Sequence, residues 1–234
     1  MNNKNIDTIF YNSNHQLEKL NNYYYLNEGQ CGVIYRKDNQ VLKIYRLKCP
    51  YAYRINRQVF NILKELNLNN IVKLNDYYHF FKSSILSMLP VDAYIMEYIE
   101  PSKSLILDKS KDYILFIIKS LEETSLKLAQ NKIVMYDSHY SNIIFTDNNA
   151  IIIDVDSYQY SYFKSVNSIY LHNKKEVLKM FKSKIINELK DKDLDIDRIN
   201  DLLNFDLRKS SLVSNIKNLC DKDTLQDSLI NKMK

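Results

Sequence analysis

Four short stretches of this chain hold residue types that can do chemistry together. Gly29 and Gly32 are its only two glycines among 234 residues, where about 16 would be usual at a frequency of ~7%. Heavy use of Asn, Lys, Ile and Tyr depletes glycine throughout, so a surviving glycine is expected where no side chain fits. Glycines at both ends of a three-residue step let backbone N–H groups approach phosphate oxygens, and they suit a tight β-turn equally well. Lys43 lies inside the apolar run Val41-Leu42-Lys43-Ile44. An ammonium facing a core needs a counter-charge, which a phosphate could supply; the alternative is an edge-strand lysine reaching out to water. In Met135-Tyr136-Asp137-Ser138-His139-Tyr140-Ser141-Asn142-Ile143-Ile144, Asp137 can accept a hydroxyl proton and Asn142 can ligate Mg²⁺. In Ile151-Ile152-Ile153-Asp154-Val155-Asp156, a carboxylate follows directly on a buried strand. It could address a metal or cap a turn.

The surrounding pattern predicts how these stretches are held. Tyr23 to Leu26 is β-prone. Val33 to Lys37 and Gln40 to Tyr45 flank Asp38-Asn39 and predict a tight hairpin. The glycines then fall in the connection between a first strand and the second of three antiparallel strands. Alternation places Lys43 on one face with Val41 and Tyr45. Residues 53–66 carry Ile55, Val59, Ile62, Leu63 and Leu66 at helical spacing, and Asn67-Leu68-Asn69-Asn70 ends that helix. Two further strands are expected at Ile71–Tyr78 and Ala93–Ile99, ahead of Pro101. Together they predict a five-stranded antiparallel sheet with one helix.

Beyond Pro101 the pattern becomes helical. Residues 111–131 predict a long helix, and Ile143–Phe145 with Ile151–Ile153 predict a small hairpin around Thr146-Asp147-Asn148-Asn149. Helices are expected again beyond residue 168: one through Val177, Phe181 and Ile185, one over Leu194 to Phe205, and one or two within Leu212 to Met233. Residues 1–21 are polar and predict an N-terminal extension with a short helix around Ile9, Phe10 and Leu17.

Composition narrows the function classes. With 45% hydrophobic residues the chain can build a full core. A net charge of +5 suits phosphate-bearing ligands but is too small and evenly spread to indicate DNA or RNA. The longest apolar run, Ile114 to Ile118, predicts no membrane span. Met1 to Asp7 lacks the apolar core of a secretory leader. Cys31, Cys49 and Cys220 stand far apart without metal-ligand spacing, which fits a reducing cytoplasm. His15, His79 and His172 have no partners at metal spacing and are expected to be ordinary surface or core histidines.

In their order, these stretches resemble the protein-kinase superfamily, across residues 22–157. Leu26 to Ile34 resembles the Gly-rich loop at its second and third glycines, with Asn27 at the first and Ile34 at the following valine. Val41-Leu42-Lys43 resembles the strand that carries the phosphate-binding lysine. Asn70-Ile71-Val72-Lys73-Leu74 is similar to the stretch after the helix, and Tyr94 to Ile99 to the hinge. Asp137 and Asn142 resemble the catalytic loop, and Asp154 the metal aspartate twelve residues later.

The resemblance implies an α+β, two-lobed kinase-like fold: a five-stranded antiparallel N-lobe with one helix over 22–101, and a reduced helical C-lobe over 102–234. It implies ATP and Mg²⁺ as cofactors. Lys43 would hold the α- and β-phosphates, and the amides of Gly29, Gln30, Cys31 and Gly32 would cover the rest. Ile34 and Val41 would pack on the base. Met96 would be the gatekeeper, with backbone groups of Glu97 and Tyr98 offered to adenine. Asn142 and Asp154 would bind metal, with Asp156 beside a second metal. Asp137 would orient the acceptor hydroxyl and take its proton, and His139 would contact the γ-phosphate. The activity implied is transfer of a γ-phosphate to a hydroxyl, foremost a protein Ser or Thr. A small-molecule kinase and a nucleotide- or partner-binding module without chemistry are the other readings.

The chain also departs from the family pattern. Met135-Tyr136 replaces the His-Arg before Asp137. His139 stands at the place of the catalytic-loop lysine, as in the aminoglycoside and choline phosphotransferase branch. Asp156 stands at the glycine of Asp-Phe-Gly, and no Ala-Pro-Glu follows. No acid occurs between Lys43 and Lys64, where the helix glutamate belongs. Gln58 or Glu65 is expected to serve Lys43 in its place, or the ion pair is missing.

Overall fold

A computed structural model describes residues 9–11, 17–19, 23–83, 88–104, 106 and 109–190. The expected helices over 194–205 and 212–233 lie outside these residues, as do His15 and Cys220.

The fold is α+β. Its central feature is a five-stranded antiparallel sheet of β3 (Tyr24–Glu28), β4 (Gly32–Lys37), β5 (Gln40–Tyr45), β6 (Leu74–Ser83) and β7 (Met88–Glu97), in the order β3-β4-β5-β7-β6. The β4–β5 hairpin closes over Asp38-Asn39, with Lys37 paired to Gln40 and Asp38 at φ 49°. Asp tolerates that left-handed conformation because its short polar side chain can bond locally. β6 begins later than the sequence pattern predicts. Ile71 leaves the sheet and bridges in parallel to Ile152, in the second half of the chain.

The helix α1 (Arg57–Leu66) packs on the sheet through Val59, Phe60 and Leu63. Asn56 caps its start, accepting from the Val59 N–H at 2.8 Å. Asn67, at φ 42°, ends it. The ring of Phe60 lies 6.0 Å from Tyr94 and 5.3 Å from Tyr77, centroid to centroid. Burying a ring of this size stabilises by roughly 1.5–3 kcal/mol.

The second half holds α2 (Lys111–Gln130), β8 (Ile133–Val134), β9 (Ile143–Phe145), β10 (Ala150–Ile152), β11 (Gln159–Tyr160) and α3 (Val166–Lys190). β9 and β10 form the expected antiparallel hairpin, and β11 pairs with β8. One core runs through both halves, from Val41 and Tyr45 to Met180 and Phe181. No helix among the described residues is long and apolar enough to cross a membrane.

The expected N-terminal helix is not formed. β1 (Ile9–Tyr11) and β2 (Leu17–Lys19) are strands, paired antiparallel to one another. A few apolar residues spread over a polar segment satisfy helical and strand spacing alike, and Ile, Phe and Tyr favour the strand.

Asn70 joins the two halves. Its buried side chain donates to Asn149 Oδ1 at 2.7 Å and to the Ala150 carbonyl at 2.9 Å. It accepts from Ser120 and Thr124 of α2 at 2.6 and 3.0 Å. The neighbouring backbone adds two bonds to β10: Ile152 N–H to the Asn70 carbonyl, and Val72 N–H to the Ile152 carbonyl.

Candidate active site

Lys43 stands on β5, which is flanked by β4 and β7. It is therefore not the edge-strand lysine of the alternative reading. Alternation buries it with Val41 and Tyr45 on the face turned toward the second half. Its ammonium lies 2.9 Å from Asp154 and 2.6 Å from Asp156, each through Oδ2. The other Asp156 oxygen accepts from the hydroxyls of Tyr45 at 2.7 Å and Tyr94 at 2.8 Å. The Asp156 N–H turns back to Asp154 Oδ1 at 3.1 Å. Gln58 and Glu65 lie exposed on α1, and Lys43 is served by these two aspartates instead.

One ammonium and two carboxylates leave the cluster with one excess negative charge. Burial pushes the Asp156 carboxyl up to about 6, and Asp154 adds to that rise, while Lys43 and Tyr45 oppose it. Burial pulls the Lys43 pKa down, but the charges of Asp156 and Asp154 outweigh it and hold the ammonium more firmly protonated than usual.

Asp154 is the more open of the pair, its side chain 31% exposed against 9% for Asp156. Asn142 ends a short 3₁₀ turn, Tyr140–Asn142, just before β9. Its carbonyl accepts from the Ile153 N–H at 2.8 Å, which brings it beside the segment leading to Asp154. The Asn142 side chain is buried, and its Nδ2 has no partner among the described residues. The Oδ1 accepts from Ser141 Oγ at 3.3 Å, and a half-turn of the amide would exchange its two ends and point the carbonyl oxygen in the open direction. A partly open carboxylate, an amide with one unpartnered end and an excess negative charge are a donor set that fits Mg²⁺.

Asp137 and His139 are exposed. Asp137 Oδ1 accepts from the His139 N–H at 3.1 Å, and the Asp137 N–H donates to Ser157 Oγ at 2.9 Å. The His139 ring is held by its Nδ1, 2.7 Å from Ser141 Oγ and accepting from the Ser141 N–H at 3.3 Å. Tyr158 is buried nearby, and its hydroxyl has no hydrogen-bond partner among the described residues. Burial, then the charges of Asp154 and Asp137, push its pKa well up. The two carboxylates thus act on one phenol.

The two glycines differ. A Cβ on Gly32 would meet the Ile44 carbonyl at 3.0 Å and Lys43 Cγ at 3.4 Å, so a side chain there would press on the β5 backbone and need it to give by a few tenths of an ångström. A Cβ on Gly29 would meet nothing within 4 Å, and neither glycine has positive φ. The expectation that space is short beside a surviving glycine suits Gly32 and fails at Gly29, where the space is open. Its N–H donates to the Gly32 carbonyl at 2.9 Å, closing the turn. Gln30 is exposed, while Cys31 and Ile34 are half-buried.

Met96 is buried and pairs across the ladder with Val41. The Glu97 N–H donates to the Lys73 carbonyl and the Tyr98 N–H to the Asn39 carbonyl, both at 2.9 Å. Both N–H groups are thus engaged within the protein. Tyr98 also carries the Arg36 guanidinium 3.4 Å above its ring centroid.

Several supporting residues escaped sequence reasoning. Asn173, inside α3, accepts from the Met135 N–H at 2.9 Å and donates to the Ile133 carbonyl at 2.8 Å. His172 meets the Met135 carbonyl at 2.7 Å, the satisfied role expected of it. Together they clamp the chain two residues before Asp137. Their sequence signal was only a polar residue on an otherwise apolar helix face. Tyr45 was legible as a strand residue on the Lys43 face and Tyr94 as the start of the hinge-like run, but neither signalled a bond to Asp156.

No family model matches this chain, and no curated protein matches it. Solved structures similar to it in fold include two kinases. The kinase PK-1 of Cydia pomonella granulovirus is 17% identical, with a TM-score of 0.44 over 78% of this chain and 75% of that one. The Lpg2603 kinase of Legionella pneumophila, bound to IP6, is 15% identical, with a TM-score of 0.42 over 73% of this chain and 64% of its own length. The present chain thus spans just under two thirds of the Legionella protein.

Proposed function

We propose that the chain is an ATP- and Mg²⁺-dependent phosphotransferase acting on a hydroxyl, foremost Ser or Thr of a protein. The observation that carries this reading is Lys43: a lysine on an interior strand whose ammonium meets Asp154 across the gap between the two halves, at 2.9 Å. Residues 22–101 and 102–234 are its two lobes, residues 1–21 an extension. A cytoplasmic setting belongs to the same reading, since three cysteines without an even count or motif spacing do not suggest a disulfide framework.

In this reading Lys43 exchanges part of its contact with Asp154 for the α- and β-phosphates. The Gly29–Gly32 turn lies over the phosphates, and the open space beside Gly29 admits them. Ile34, Val41 and Met96 form the apolar wall for the base. Asp154 and Asn142 hold Mg²⁺. When bound, the metal neutralises phosphate charge and fixes the phosphate geometry. Asp137 orients the acceptor. The acceptor oxygen forms a bond to the γ-phosphorus as the bond to the β,γ-bridging oxygen breaks; ADP carries away the electron pair, and the hydroxyl proton passes to Asp137. His139, held through its Nδ1, faces the transferred group. The exposure of Asp137 and His139 suits an acceptor presented on a macromolecule.

Incubation of the purified chain with γ-labelled ATP and Mg²⁺, read by gel and mass spectrometry, tests the reading. Label is expected on protein, with Lys43→Ala and Asp154→Ala each abolishing it. Label on added aminoglycosides or alcohols alone would move the acceptor to small molecules. Nucleotide binding without ADP formation would reduce the site to a binding module.

A further inference from the structure

Phosphoryl transfer by positioning needs the lysine held where the phosphates arrive. The helix ahead of β6 is where the kinase resemblance places the acid for that task, yet α1 brings none to Lys43. The ammonium is nonetheless doubly paired, and its two partners are unlike. Asp154 is partly open, and metal binding would draw it away from Lys43. Asp156 is closed. One oxygen faces Lys43 at 2.6 Å, and the other receives the Tyr45 and Tyr94 hydroxyls. A carboxylate offers about four lone-pair sites, so three are in use.

We infer that Asp156 is the positioning residue for Lys43, supplying from the helical half the counter-charge that α1 lacks. This rests on the phosphotransfer reading of the same site. The two phenols fix the carboxylate so that Oδ2 points at the ammonium. Tyr45 extends the network: its hydroxyl accepts from the Ile55 N–H at 3.0 Å, in the segment leading into α1. Phe60 of α1 packs on Tyr94. Where a glutamate would tie helix to lysine directly, the tie here runs from the helix start through Tyr45 and Asp156 to Lys43. A role for Asp156 as ligand to a second metal competes with this one. Its 9% side-chain exposure leaves little access for a hydrated cation.

The test compares Asp156→Asn, the double variant Tyr45→Phe/Tyr94→Phe and the exposed control Gln58→Ala with the unaltered chain. The first measurement needs no nucleotide: the NMR signal of the Lys43 ammonium, slowed in exchange by its buried partners. It is expected in the unaltered chain and in Gln58→Ala, lost in Asp156→Asn and weakened in the double variant. The second is steady-state kinetics. kcat/KM for ATP is expected to fall by about 10²-fold in Asp156→Asn and by about tenfold in the double variant, with the Mg²⁺ half-saturation unchanged. Should Asp156→Asn fail to fold, the double variant decides by the same two readouts. Persistence of the ammonium signal without Asp156, or a loss that appears as a raised Mg²⁺ requirement, overturns the inference. Absence of turnover in the unaltered chain overturns the phosphotransfer reading instead, and the ammonium signal then decides for or against Asp156.

Discussion

The two ends of the candidate site are held by different kinds of contact. At the Lys43 end, side chains 111 residues apart in sequence meet in a buried cluster, Lys43 with Asp154 and Tyr45 with Asp156. At the Asp137 end, the groups proposed to react are exposed and held by bonds of shorter range, Asp137 to the His139 N–H and to Ser157, and His139 to Ser141. The first end cannot form until both halves of the chain are docked. The second is held within the helical half, by its own loop, by the Ser157 hydroxyl that accepts from the Asp137 N–H, and by the α3 clamp. A nucleotide has a fixed shape and rewards a preorganised site, whereas an open loop can accept a hydroxyl from acceptors of many shapes. The division of labour is what would be expected of a site that recognises one substrate closely and the other loosely.

If that comparison is right, substitutions at the two ends should separate binding from chemistry. Asp137→Asn is expected to lower kcat by about 10²–10⁴-fold, while ATP affinity by calorimetry stays within a factor of about two. A parallel collapse of nucleotide binding would mean that the two ends are not independent.

The halves must also be locked together for the Lys43 end to exist. Asn70→Ala leaves the buried Thr124 hydroxyl and Ala150 carbonyl without this partner, and removes a part-buried bond each from Ser120 and from Asn149, whose Oδ1 keeps the Ala150 N–H. Unsatisfied buried groups cost about 1–3 kcal/mol each, less where they find new partners. A net loss of roughly 2–4 kcal/mol is expected in urea unfolding, with nucleotide affinity falling more than the exposure of Asp137 changes. An unchanged midpoint would show that the shared core, not Asn70, fixes the docking.

The sequence made one end far more legible than the other. β5 declared itself by alternation, and the position of Lys43 on the face of Val41 and Tyr45 followed from the period of a strand. Asp137, Asn142 and Asp154 were legible as polar residues set at the ends of apolar runs. The partner of Lys43 was not legible. Asp156 reaches it across 113 residues, and its phenolic supports look like ordinary strand residues until the halves are docked. Asn70 was legible as the end of a helix and the start of the stretch after it, but not as a joint, because a side chain that joins two halves leaves no periodic trace. Residues 9–19 failed for a different reason: a handful of apolar positions cannot distinguish two periods.

The inner end can also be probed by pH. Asp156 is raised from the ordinary 3.8 to about 6 by burial first and the Asp154 charge second. The folded chain therefore holds this proton more tightly than the unfolded chain does. Between about pH 4 and pH 6 the folded state carries the extra proton, so stability from this group is fully present at the acid end and declines as pH rises. The slope is at most about 1.4 kcal/mol per pH unit. Lys43 adds no slope in that window, since its raised pKa keeps it protonated in both states. Urea midpoints at pH 4.5 and 6.5 are expected to show the decline in the unaltered chain relative to Asp156→Asn, which carries no such proton. An equal pH dependence in the two proteins would place Asp156 in a wetter setting than its packing against Tyr45 and Tyr94 implies, and the contrast between a closed inner end and an open outer end would lose its sharpest term.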